Sequence, residues 1–140
     1  MKTINIFIPG QPARVTHQSG TRYAKHRTYK TKNLRDWEER LKAALEESKP
    51  KKPISGPVQL KVMWGFKARK KKDLFTYKIT RPDTDNMQKT LKDVMTEMKY
   101  WIDDAQVVYE TCKKLWVDEP GIVIKIEELG ARCEDWRIEE

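Results

Sequence analysis

The first 35 residues contain no aspartate or glutamate, although the whole chain has 21 acidic residues. The lysine-rich stretch 67–72, KARKKK, holds no acid either. The formal net charge is +8, and such a balance favours contact with nucleic acid or an acidic membrane surface without defining a fold. The sign reverses towards the end of the chain, where the acidic residues are Asp118, Glu119, Glu127, Glu128, Glu134, Asp135, Glu139 and Glu140.

Long apolar runs are missing as well. No stretch approaches the roughly 20 apolar residues of a membrane-spanning helix, and the N-terminal MKTINIFIPG has neither the apolar stretch nor the cleavage site of a signal peptide. We therefore expect a cytoplasmic protein without a membrane partner. Cys112 and Cys133 fit no zinc-binding spacing, and in a reducing compartment we expect both to be free thiols.

Several common catalytic motifs are absent. The only histidines are His17 and His26, which are too few for a convincing catalytic zinc triplet. The chain has no glycine-rich phosphate loop and no G-x-S-x-G elbow. An EF-hand loop begun at Asp83 would put Gln88 where glycine is required. What remains to be explained is a pair of acidic segments in a basic chain.

The pattern of apolar residues indicates a globular fold. Five tryptophans and 38% apolar residues argue against disorder, and 140 residues suit one domain, 1–140, with 130–140 as a candidate acidic appendage. Alternating apolar residues predict strands, and apolar residues three or four apart predict helices. The resulting order is strand 4–8, basic loop 11–32, helix 33–48 capped by Asn33, strand 58–66, basic loop 67–81, helix 84–98, strand 107–117 and strand 122–126.

These elements predict an α/β (α+β) fold of the order β-α-β-α-β-β. The economical architecture is a mixed sheet of about four strands with two helices packed on it. The turn DEPG, residues 118–121, is short enough to join antiparallel neighbours, so it predicts that the last two strands form a hairpin.

The stretch RPDTDN, residues 81–86, concentrates acid inside this basic chain. In one interpretation Asp83 caps the second helix behind Pro82, and Asp85 complements the helix dipole in the first turn. Lys89 lies one turn beyond Asp85, so those two side chains can meet. In the other interpretation the two aspartates hold a metal ion, and the stretch by itself does not decide between them.

A second acidic pair, Asp103 and Asp104, lies in the connector WIDDAQ that leads into the next strand. If that strand returns beside the start of the second helix, three or four carboxylates converge. Mg²⁺ prefers carboxylate and water oxygens and shares them with phosphate, so such a cluster would suit this ion.

The combination of RPDTDNMQKTLKDV, YWIDDAQVV and CKK resembles the RusA family of Holliday junction resolvases. The family pattern is D-x-D-N-x-x-K with a further aspartate four residues after the lysine, followed by D-D-x-Q-V. The matching residues in this chain are Asp83, Asp85, Asn86, Lys89, Asp93, Asp103, Asp104, Gln106 and Val107. The resemblance implies a small, dimeric, Mg²⁺-dependent endonuclease, with Mn²⁺ as a substitute ion.

The same resemblance implies roles for individual residues. Asp83, Asp85 and Asp104 would bind the metal, and Lys89 would be the catalytic lysine. The auxiliary candidates are Asp103, Asn86 and Lys114, the last with Lys113 as the alternative register. We interpret Asp93 as a structural partner of Lys89 or Lys92.

The expected substrate is branched DNA, a four-way junction, cleaved by a homodimer in recombination and repair. Such resolvases often come from prophages. The basic loops would grip phosphates without reading sequence, through Arg14, Arg22, Lys25, Arg27, Lys30, Arg69, Lys70, Lys71, Lys72 and Arg81. Loop aromatics would either stack on unpaired bases or anchor the loops by packing, and these are Tyr23, Tyr29, Phe75 and Tyr77.

Two other functions remain open. In the first, the chain is a non-catalytic nucleic-acid-binding module whose aspartates only cap a helix and make a turn. In the second, it is a metal-dependent nucleotidyl or phosphotransfer enzyme, although the sequence shows no nucleotide-binding motif.

Overall fold

The structure is a computed structural model, and it describes residues 2–15, 20–24 and 27–137. The elements of the described residues are β1 Thr3–Pro9, β2 Thr21–Ala24, β3 Arg27–Lys30, α1 Lys32–Leu45, β4 Val58–Lys67, α2 Thr84–Glu97, β5 Val107–Val117 and β6 Gly121–Glu128. Short 3-10 turns occupy Lys71–Asp73 and Asp104–Gln106. Neither described helix is long and apolar enough to cross a membrane.

The main sheet has four strands in the order β1-β6-β4-β5. β6 is antiparallel to both β1 and β4, whereas β4 and β5 are parallel. The predicted mixed sheet of four strands with two helices is therefore confirmed, as is the predicted order of its elements. A separate two-stranded ribbon, β2 with β3, is added to it.

The core lies between one face of the sheet and the two helices. β4 contributes alternate side chains, because successive side chains of a strand point to opposite faces. The helices contribute the apolar stripes that the spacing predicted. The fully buried members include Leu60, Trp64 and Phe66 from β4, Leu41 and Leu45 from α1, and Leu91, Val94 and Met95 from α2.

The predicted hairpin of the last two strands is wrong. β4 lies between β5 and β6, so the short connection after Val117 crosses the end of β4 before β6 begins at Gly121. Gly65 makes this crossing feasible, since a Cβ atom there would lie 2.8 Å from Val117 Cγ2 and 3.2 Å from the Gly121 carbonyl oxygen. A short turn is thus compatible with an antiparallel hairpin but does not require one.

The predicted loop 11–32 is also wrong in part, because it contains the antiparallel ribbon. The ribbon pairs Thr21 with Lys30 and Ala24 with Arg27. All four side chains of β3 are exposed, so this strand lacks the apolar alternation that identifies a half-buried strand. The ribbon is formed by backbone hydrogen bonds, and these leave no trace in the pattern of apolar and polar side chains.

The boundaries of α1 differ slightly from those predicted. The N-cap is Thr31, whose side-chain oxygen accepts a 3.4 Å hydrogen bond from the Leu34 amide, so Asn33 lies inside the helix and is not its cap. The helix ends at Leu45 and not near Ser48. The boundaries of α2 agree with the prediction, with Asp83 at the N-cap position. Residues 130–137 form no helix or strand, 138–140 lie outside the described residues, and the proposed appendage stays a prediction.

Candidate active site

The N-terminal end of α2 presents two of the predicted metal ligands to solvent. Asp83 and Asp85 are both exposed. Asp83 has the extended backbone of an N-cap residue, but its carboxylate makes no capping hydrogen bond. The capping interpretation is therefore right about the position of Asp83 and wrong about its side chain. Its carboxylate oxygens stay available to other partners.

The predicted catalytic lysine lies one turn further along α2. Its ammonium nitrogen is 3.7 Å from Oδ2 of Asp93, and the Lys89 side chain is 57% exposed. The predicted structural role of Asp93 as a partner of Lys89 agrees with this contact. The ammonium group is thus held on the exposed side of α2, on the same line of turns as Asp85.

A polar cleft of about 270 Å³ lies beside the first turns of α2 and contains Asp85 together with Glu110 and Cys112 of β5. Glu110 accepts hydrogen bonds from Gln88 Nε2 at 2.6 Å and from Lys92 Nζ at 3.0 Å. Burial raises the pKa of the Cys112 thiol to about 11. Glu110 was not among the residues predicted from the sequence, and only the alternation along β5 could have indicated which of its residues face α2.

The loop before α2 is held by lysines. Lys114 donates to the carbonyl oxygens of Thr80 at 2.7 Å and Pro82 at 2.8 Å. Lys113 is exposed on the other face of β5, near Lys61 and Lys125. Of the two lysines, Lys114 is the one that adjoins the start of α2, and its auxiliary role stays a prediction. The basic residue Lys78, which the sequence did not single out, is buried in the same place.

The second acidic pair lies at the opposite end of α2. Gln106, in the turn Asp104–Gln106, donates a 2.7 Å hydrogen bond to the carbonyl oxygen of Ile54. Ile54 in turn pairs with Trp101, whose indole nitrogen donates to Thr96 in the last turn of α2. Because α2 has 14 residues, about 20 Å of helix separates this turn from the start of α2.

The predicted convergence of Asp83 and Asp85 with Asp103 and Asp104 therefore does not occur within one copy of the chain. β5 begins beside the C-terminal end of α2, because it runs antiparallel to the helix. Residues 2–15, 20–24 and 27–137 contain no group of three or more His, Cys, Asp or Glu side chains that could hold a metal. Asp103 caps the turn Asp104–Gln106, because its carboxylate accepts a 2.9 Å hydrogen bond from the Ala105 amide. Asp104 is exposed.

The basic residues that were predicted to contact DNA phosphates differ in their exposure and in their contacts within the chain. Arg69, Lys70, Lys71 and Lys72 are all exposed around one 3-10 turn. Lys30, by contrast, is bound to Glu38 at 3.0 Å. Arg14, Arg22, Arg27 and Arg81 are exposed as well, and Lys25 lies outside the described residues.

The four loop aromatics are exposed and do not anchor the core. The exposed fractions are 68% for Tyr23, 50% for Tyr29, 66% for Phe75 and 68% for Tyr77. Their exposure argues against the packing interpretation, and the exposed rings of Tyr29, Phe75 and Tyr77 suit stacking on bases.

The amino-acid sequence of this chain is similar to those of known proteins. The family model described as Endodeoxyribonuclease RusA matches residues 9–127. A crossover junction endodeoxyribonuclease of Lactococcus phage r1t is 37% identical over 91 residues, which is 64% of this chain and 70% of the relative. The protein of that name from Escherichia coli K12 is 26% identical over 134 residues, covering 93% and 98% of the two chains. A relative from Enterobacteria phage 82 is 27% identical over the same shares.

Proposed function

Because the chain belongs to the RusA family, we propose that it is an endodeoxyribonuclease that resolves four-way DNA junctions in recombination and repair. The observation that carries this proposal is the family match over residues 9–127, which includes both acidic segments and helix α2 between them. The exposed carboxylates at the start of α2, and the exposed basic turn in the segment that leads to it, suit hydrolysis of a phosphodiester. The two free thiols fit action in the cytoplasm.

The cofactor that we propose is Mg²⁺, with Mn²⁺ as a substitute. The exposed oxygens of Asp83 and Asp85 have the chemistry that this ion prefers. Two carboxylates suffice for a hydrated Mg²⁺ shared with a phosphate, because this ion usually keeps several waters. A bound divalent cation would supply an activated water and neutralise charge on the phosphate.

The active unit that we propose is a homodimer. Asp104 is the third metal ligand implied by the family, but it lies at the far end of α2 from Asp85 in one protomer. A second copy can bring its own Asp104 to the start of α2, and a two-fold axis would then form two equivalent sites. Two such sites match the approximate two-fold symmetry of a four-way junction.

The residues of the chain have separate tasks in this scheme. Lys89, held in place by Asp93, would stabilise the negative charge that develops on the phosphate. Residues 69–72 and Arg81 would hold the phosphates on either side, so that the carboxylates do not repel the DNA. Phe75 and Tyr77, which are exposed next to that turn, would stack on bases unpaired at the crossover.

The decisive experiment compares an end-labelled four-way junction with linear duplexes of the same sequence. We expect paired nicks with 5′-phosphate ends in the junction when Mg²⁺ is present, intact duplexes, and no cleavage in EDTA. Binding to the junction without cleavage in either Mg²⁺ or Mn²⁺ would contradict the proposal and support a non-catalytic binding module.

A further inference from the structure

Lys78 is a buried lysine beside the candidate active site. Its exposed fraction is 2%, and its ammonium nitrogen lies 5.1 Å from the ring centre of Phe66 and 4.6 Å from that of Trp116. No carboxylate among the described residues forms an ion pair with it. Burial lowers the pKa of Lys78, and the nearby positive charges of Arg14 and Lys114 act in the same direction.

Such a placement needs a compensating role, because removing an ammonium group from water is costly. A methionine would fill the space between the two rings without this cost. What methionine could not do is donate hydrogen bonds. Lys78 donates to the hydroxyl of Thr80 and, at 2.7 Å, to the carbonyl oxygen of Arg81.

Lys114 reaches the same loop from β5. It donates to the carbonyl oxygens of Thr80 and Pro82, so the two ammonium groups together hold the backbone of three consecutive residues, 80–82. The lysines are also linked through their backbones, since the amide of Lys78 donates a 2.9 Å hydrogen bond to the carbonyl oxygen of Lys114. The segment they hold has no helix or strand of its own.

The next residue in the chain is Asp83, followed two positions later by Asp85. The backbone of the loop 80–82 therefore sets where these carboxylates lie relative to the basic turn and the cleft. We propose that Lys78 is a positioning residue: with Lys114 it clamps the loop 80–82 and thereby holds the Asp83 and Asp85 carboxylates in place for the cation and the phosphate. This inference rests on the proposed function.

This role differs from that of a catalytic residue, because the Lys78 ammonium group is buried against the loop 80–82 and two aromatic rings. It also differs from a role in general stability. A purely structural lysine would affect the unfolding temperature of the whole chain, whereas a clamp affects local opening of residues 80–87 and the rate of the chemical step.

The test substitutes Lys78→Met and, as the matched control, Lys61→Met, which removes an exposed lysine of β4 from the face of the sheet opposite the core. Hydrogen exchange of amides 80–87 is measured first, on the free protein without metal or DNA. We expect exchange in Lys78→Met to be at least about tenfold faster there, with core strands unchanged. We expect the control to match the original protein.

The second measurement is single-turnover cleavage of a four-way junction at saturating Mg²⁺, with junction binding measured in EDTA. We expect Lys78→Met to lower the cleavage rate by about 10- to 100-fold, as small misplacements of catalytic groups do, with junction affinity within about twofold. Unchanged local exchange, or an unchanged cleavage rate, would overturn the clamp. The clamp would also be overturned if the loss of cleavage rate were fully explained by a lower unfolding temperature of the whole chain.

Should Lys78→Met fail to fold, Lys114→Met tests the other half of the clamp, because Lys114 is only partly buried and holds two of the same three residues. Faster exchange at 80–87 in that variant supports the clamp, and unchanged exchange contradicts it. The exchange experiment needs no activity. A protein that shows the expected local opening but never cleaves junctions would therefore refute the proposed function and leave the clamp standing.

Discussion

The indole nitrogen of Trp64 donates a 2.8 Å hydrogen bond to the side-chain oxygen of Gln88. The amide nitrogen of Gln88 donates in turn to Glu110 of β5. The central strand, the helix that begins at the candidate site and the edge strand are thus joined by one buried glutamine. Because both donor and acceptor of its amide are used, Gln88 fixes the rotation of α2 and with it the direction of Asp85.

We expect Gln88→Leu to lower the free energy of unfolding by about 1 to 3 kcal/mol, since it leaves the buried indole nitrogen without an acceptor. Urea unfolding measures this change. The control is a double-mutant cycle with Trp64→Phe, which removes the donor. If Gln88→Leu costs the same with and without the tryptophan, the hydrogen bond contributes nothing.

Substitution of either exposed carboxylate at the start of α2 should abolish cleavage. We expect Asp85→Asn, like Asp83→Asn, to reduce Mg²⁺-dependent cleavage by at least about 100-fold, because each removes a charged oxygen ligand. Junction binding in EDTA should persist. Asp118→Asn, an exposed aspartate in the turn before β6, is the matched control and should cleave normally. Full activity of Asp85→Asn would show that the site has been wrongly assigned.

Mixed dimers test whether the metal site is shared between protomers. Asp85→Asn and Asp104→Asn should each be inactive alone. If each site combines Asp85 of one protomer with Asp104 of the other, a dimer of the two variants has one intact site and one doubly altered site. We expect the mixture, after exchange of subunits, to nick one strand of the junction. Complete inactivity of the mixed dimer, isolated with two different affinity tags, would show that sites are not shared in this way.

Junction binding should weaken steeply as salt rises, because lysines and arginines that contact phosphates release counterions. Replacing Lys70, Lys71 and Lys72 by alanine should flatten the plot of log affinity against log salt by about two to three units. The matched control removes three lysines, Lys49, Lys51 and Lys52, which are exposed in the connection after α1. An affinity that does not change between low and physiological salt would contradict the proposed grip on phosphates.

The two thiols should react at very different rates. Burial raises the pKa of Cys112 to about 11, so at pH 8 it is almost entirely the unreactive thiol, and its reactivity should grow as the pH approaches that value. Cys133 is exposed and should react with iodoacetamide first. Mass spectrometry of alkylated peptides measures both rates. Equal rates at pH 8 in the folded protein would show that Cys112 is not shielded.

Several features of the fold follow from local patterns alone. The alternation of Val58 to Phe66 and the spacing of Met87, Leu91 and Val94 are enough to place β4 and α2, because burial on one face imposes a period of two or 3.6 residues. The ribbon of β2 and β3 could not be found in this way. Its side chains on β3 are exposed, so its pairing leaves no pattern in the residue types.

The candidate site likewise has a part that is predictable from the sequence and a part that is not. The acids at the start of α2, and the family pattern that includes them, can be recognised from the amino-acid sequence, because those residues are adjacent in the chain and their chemistry depends on residue type. Which partners reach them depends on the packing of distant segments. The antiparallel course of β5 along α2 places Glu110 and Lys114 beside Asp85 and the preceding loop, and it carries Asp104 to the far end of the helix. Direction and register arise from packing between distant segments, and local sequence does not encode them.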